Sequence, residues 1–115
     1  MKQLATFLVA TLAFGAASAG ANEPLTYDQA ISRLRACATA GATNAPRGSL
    51  REAVVAVRSL CRPQIDRVFD ATDERIAADN PDASAELLGE LRTKARRKID
   101  RDLAVLVSTQ TGLAQ

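Results

Sequence analysis

The sequence has no histidine and no tryptophan, and its other aromatic residues are one tyrosine and three phenylalanines. Without histidine, the chain has no imidazole to act as a general acid or base or to ligate zinc. With so few rings, it lacks the aromatic platforms that stack on nucleic-acid bases or line cofactor pockets. These absences predict a protein that is not an enzyme, holds no cofactor and binds no nucleic acid.

The sequence also has no large excess of charge of either sign. Its net charge is +2, and Lys2 near the N-terminus supplies one of these charges. Four carboxylates approach the spacing of one helix face, where they can in principle meet a divalent cation: Asp66, Asp70, Asp73 and Glu74. Arginines are interleaved with them, as in the i,i+4 pair of Arg62 and Asp66, which favours a solvated, ion-paired face. We therefore predict no metal site here.

A hydrophobic run is found only at the N-terminus. Lys2 precedes an uncharged stretch from Leu4 to Phe14, and Ala17-Ser18-Ala19 then forms a small-x-small cleavage site. The run is too short and too rich in small residues for a membrane span. It predicts a signal peptide over residues 1–19, with cleavage after Ala21 as the alternative. The remaining residues 20–115 suffice for one soluble domain in the periplasm or outside a bacterial cell.

Apolar residues in this domain recur with helical periodicity, and no segment alternates like a strand. The spacing predicts helices over about residues 26–40, 50–79 and 81–108, followed by a frayed tail over 109–115. Pro63 interrupts the second helix by removing a backbone hydrogen bond. Because the apolar stripe keeps its phase there, we predict a kink, with a break into four helices as the alternative. The predicted fold is an all-α, up-down three-helix bundle in which a short helix covers a long antiparallel hairpin.

The chain has two cysteines, Cys37 and Cys61, and both fall on inward-facing positions of the predicted helices. Thiols tend to oxidise outside the cytoplasm. We therefore predict a disulfide that joins the first helix to the second. Their distance in the sequence does not favour a redox-active pair, and two sulfurs without histidine leave a zinc shell incomplete.

If the short first helix is fixed at Cys61 by the disulfide, it does not cover the part of the hairpin from about residue 65 to 95. This part of the hairpin carries more apolar residues than two helices can bury between them, which is typical of an interface. The predicted interface residues are Ile65, Val68, Phe69, Ile76, Leu87, Leu88 and Leu91. The alternative is that the first helix tilts, or that residues 23–25 fold over, and covers most of them.

A dense run of cations lies in the last predicted helix. It consists of Arg92, Lys94, Arg96, Arg97, Lys98 and Arg101. Such a patch suits anionic lipid head groups or lipopolysaccharide, in a salt-sensitive and at most peripheral membrane contact. Nearby acidic residues such as Glu90 and Asp100 favour an ion-paired, solvated face instead.

The residues thus predict an exported, non-catalytic helical protein that acts by protein–protein interaction, as an adaptor, inhibitor or small chaperone. The partner is an unknown protein or a second copy of the chain. Binding of anionic surfaces through residues 92–101 is the alternative function.

Overall fold

The computed structural model describes residues 25–114, and the predicted signal peptide lies outside them. These residues form four helices: α1 (Tyr27–Thr43), α2 (Leu50–Leu60), α3 (Arg62–Asp79) and α4 (Ala85–Thr111). The described part of the chain contains no strand, so the all-α class is confirmed. Within residues 25–114, no helix has the length and apolar character needed to cross a membrane.

The predicted count of three helices is wrong, because the second predicted helix is divided at Cys61. Pro63 occupies the first turn of α3, where a residue without an N–H leaves no helical hydrogen bond unmade. The interruption is one residue long. The Cys61 N–H donates to the Val57 carbonyl at 2.9 Å, and the Ile65 N–H donates to the Cys61 carbonyl at 3.0 Å. The apolar stripe therefore crosses the break without losing its phase.

Polar side chains fix the helix starts. At α1, the Thr26 hydroxyl accepts from the Gln29 N–H, and the Gln29 side chain accepts from the Thr26 N–H. The Ser49 hydroxyl accepts from the Glu52 N–H at the start of α2. The last helix begins at Ala85, with Ser84 as its cap, rather than at residue 81.

Helix α1 continues past its predicted end at about residue 40 and reaches Thr43. Helix α3 ends at Asp79, and the Asn80 side chain donates to the Ile76 carbonyl of its last turn. A Cβ at Gly41 would lie 3.0 Å from Leu60 Cδ2 and 3.6 Å from a Val57 methyl, so this glycine permits a close approach of α1 to α2.

The core follows the stripe of α2 and α3 and is closed by α1 and α4. Its apolar members are Ala30, Leu34, Ala38, Ala42, Ala45, Ala53, Val57, Cys61, Ile65, Val68, Leu103 and Val107. The predicted disulfide between Cys37 and Cys61 is present, with a Cα–Cα distance of 5.9 Å. It joins α1 to the residue at which α2 ends and α3 begins.

The first helix covers more of α3 than the sequence predicted. At its N-terminal end the Arg75 guanidinium lies over the Tyr27 ring, 4.7 Å from the centroid. At its other end Gly41 faces Val57 on α2, which a Cβ at this position would meet at 3.6 Å. Since α1 spans this whole distance, Ile65 and Val68 are only 5% and 0% exposed. These two members of the predicted interface belong to the core, as the alternative of a tilted first helix implied.

Candidate binding surfaces

The tip of the α3–α4 hairpin is the part of the predicted interface that remains accessible. Because α1 begins opposite Arg75, the core cluster does not extend to Ile76, Leu88 or Leu91, which are half-buried. Leu87 is 42% exposed. We call Ile76, Leu87, Leu88 and Leu91 the distal tip. Phe69 is not part of it, because its ring packs against the core and is covered by Arg96 at 5.1 Å.

The cationic run on α4 divides into two sets. One set faces acidic neighbours: Arg96 pairs with Asp73 at 3.1 Å, Arg92 lies 3.7 Å from the same carboxylate, and Lys98 pairs with Asp102 at 2.8 Å. The other set is exposed and, among residues 25–114, makes no ion pair: Lys94, Arg97 and Arg101. The run therefore does not act as one patch of six cations.

The acidic residues of α3 also serve different purposes. Asp73 on α3 forms ion pairs with Arg92 and Arg96 on α4, and these ion pairs connect the two helices. In the part of the chain that the structure describes, no three acidic or cysteine side chains are grouped so that they would hold a metal ion. Arg58 on α2 pairs with Asp100 on α4 in the same way, at 2.5 Å.

A groove that sequence reasoning missed runs between α1 and α4, and Thr72 of α3 also lines it. Its volume is about 350 Å³. Tyr27 lies at one end, Thr72 contributes from α3, and the walls are mostly aliphatic: Ile31, Leu34, Ala95, Ile99, Leu103 and Leu106. We call this the α1–α4 groove. The sequence signal that could have indicated it is the apolar stripe of α1 and α4, because an inward-facing residue can line a groove as well as a closed core.

Charged side chains lie along the α1–α4 groove on both walls. Arg35 lines it from α1, and Lys98 and Asp102 line it from α4. The Asp102 carboxylate accepts a hydrogen bond from Lys98 and raises the pKa of that lysine above its usual value. Within residues 25–114, Arg35 has no acidic partner. The charges of the groove therefore sum to one positive charge, centred on Arg35.

Comparisons with protein-family models, with curated proteins and with solved structures found no match for this chain.

Proposed function

We propose that the chain is an exported, non-catalytic helical protein that acts by protein–protein interaction through the distal tip. The observation that carries this proposal is that α1 begins opposite Arg75, which leaves Ile76, Leu88 and Leu91 partly exposed outside the core. The disulfide and the N-terminal signal pattern support export, since disulfides persist mainly in oxidising compartments.

The distal tip combines apolar residues with charged residues around them, as the centre and rim of a protein interface do. Its four apolar residues lie on α3 and α4 near the turn that joins these helices, and Asp79, Glu86 and Glu90 lie near them in the sequence on exposed positions. Apolar anchors with a polar rim are typical of protein-binding surfaces. The partner that fits is a protein with a small apolar face, or the same tip of a second copy.

Replacing Leu87 with aspartate is expected to abolish partner binding while leaving the fold intact. Leu87 is 42% exposed, so a carboxylate at this position stays solvated in the free protein. In a complex the same carboxylate would be buried without a cation to pair with, which is costly. We expect the affinity for the partner to fall at least tenfold. A photo-crosslinking residue at position 91 reports partner capture in the intact organism, and gel filtration of the purified protein reports self-association.

Leu60→Asp is the matched control, because Leu60 is also an exposed leucine, at 63%, but lies far from the distal tip. The adduct formed at position 91 should survive Leu60→Asp and disappear with Leu87→Asp. An adduct that survives both changes, or a strictly monomeric protein with no adduct of defined mass, would contradict the proposal.

Binding of anionic surfaces is the second candidate, and the exposed cations Lys94, Arg97 and Arg101 favour it. Changing all three to glutamine is expected to remove any sedimentation with phosphatidylglycerol vesicles at 20 mM salt, because exposed charges act over about 20 Å at that ionic strength. The control changes Arg33, Arg51 and Arg67, which are exposed on other helices. Equal loss with both triple variants, or binding that persists at 0.5 M salt, would count against this candidate.

A further inference from the structure

We propose that the α1–α4 groove binds a single-chain amphiphile with an anionic head group, of the chemical class of a fatty acid. The site uses neither the distal tip nor Lys94, Arg97 and Arg101, so it is an activity separate from the two functions proposed above. Three properties of the groove carry the inference: its apolar walls, its dimensions and its charge.

The walls suit an acyl chain along most of their length. Ile31 and Leu34 face the groove from α1, while Ala95, Ile99 and Leu106 face it from α4. Ile31, Ile99 and Leu106 are only half-buried in the free protein, so a ligand that covered them would remove apolar surface from water. The small side chain of Ala95 leaves open space between the two helices.

The dimensions favour one extended chain over a peptide helix. The lining residues span positions 27–38 of α1 and 95–106 of α4, which corresponds to about 17 Å at 1.5 Å per residue. The volume of about 350 Å³ is at the small end of the range for ligand sites. A helix of that length, with a diameter of about 10 Å, needs several times this volume and would enter with one edge only.

The charge selects an anionic head group. The Asp102 carboxylate is already occupied by Lys98, and Arg35 has no acidic partner within residues 25–114. A carboxylate at the rim of the groove can therefore accept charge-assisted hydrogen bonds from the guanidinium of Arg35 without displacing an existing ion pair. A cationic head group would instead be repelled by Arg35 and would have to compete with Lys98 for Asp102.

The test uses dodecanoate below its micellar concentration and reads the fluorescence of Tyr27. Tyr27 is the single tyrosine of a chain without tryptophan, and it lines the groove, so its emission reports on this site. We expect saturable binding of one dodecanoate per chain, confirmed by calorimetry. Arg35→Gln should weaken binding about tenfold, as expected for the loss of one charge-assisted hydrogen bond, and Ala95→Trp, followed by calorimetry, should block it by filling the groove.

Arg33→Gln is the matched control, since Arg33 is exposed on α1 and does not line the groove. It should bind dodecanoate like the unmodified protein, and dodecyltrimethylammonium, with the same chain and a positive head, should bind at least tenfold more weakly than dodecanoate. The proposal is overturned if dodecanoate does not bind saturably, if Arg33→Gln weakens it as much as Arg35→Gln does, or if the cationic amphiphile binds equally well. Circular dichroism of each variant verifies that its helices are intact.

Discussion

Replacing both Cys37 and Cys61 with alanine is expected to lower the free energy of unfolding by about 3 kcal/mol. The disulfide joins two cysteines that are 24 positions apart, and in the chain-entropy model most of its effect comes from restricting the unfolded chain. A further loss arises in the folded state, because Cys61 is fully buried and its sulfur fills space in the core. Urea denaturation followed by circular dichroism measures the change.

For a domain of this size, 3 kcal/mol is a large fraction of the total stability. The double alanine variant should therefore unfold at a much lower urea concentration than the oxidised protein. Reducing the unmodified protein with a phosphine gives a second measurement of the same stability difference. It breaks the disulfide but leaves both cysteine side chains in the core. Identical denaturation midpoints for the oxidised protein and the double variant would refute this expectation.

Replacing Val57 with aspartate is expected to unfold the domain. Val57 is 0% exposed at the point where α1 approaches α2 through Gly41, so the carboxylate would have to enter an apolar site without a cation. Burial of an unpaired charge costs several kcal/mol, which is comparable to the whole stability of a small domain. We expect the helical circular dichroism signal at 25 °C to fall by more than half.

Val55→Asp is the matched control on the same helix. Val55 is 56% exposed, so its replacement should change stability by less than about 1 kcal/mol. The pair tests the orientation of α2 directly, because the two positions differ by little more than half a helical turn. If both variants remain folded, the described core is wrong at its centre.

The apolar periodicity predicted much of this architecture correctly. Cys61 is buried on the inward face, as the spacing indicated, and the same stripe continues through the buried residues Val57, Ile65, Val68 and Thr72. The disulfide was predictable because both cysteines lay on inward-facing positions and no other thiol competes for them. The caps at Thr26 and Ser49 were predictable because local sequence alone determines those hydrogen bonds.

The errors have a common physical origin in tertiary contacts. Whether Pro63 kinks or divides a helix depends on the conformation of the single residue Cys61, which the disulfide and the core constrain together. Gly41 resembles a helix stop, but the packing of α1 against Val57 decides its role. The exposure of Ile65 and Val68 depended on the path of α1, and local sequence does not specify that path.

The candidate site was less predictable than the fold. Periodicity assigns a side chain to the inward face of a helix, but it does not state how closely two inward faces approach each other. Ile31 and Ile99 are inward-facing and still half-exposed, because α1 and α4 leave a groove between them. Arg96 illustrates the same limit, since its stacking on Phe69 and pairing with Asp73 follow from helix placement.

The position of the disulfide has a consequence for the order in which the chain acquires its structure. Both cysteines precede Pro63, so under the proposed export, with the N-terminus first, α1 and α2 would reach the oxidising side before α4 has emerged. With two cysteines only one intramolecular pairing exists, and no misbridged isomer has to be corrected. The disulfide would then be able to form early and hold α1 against α2 before α4 completes the core.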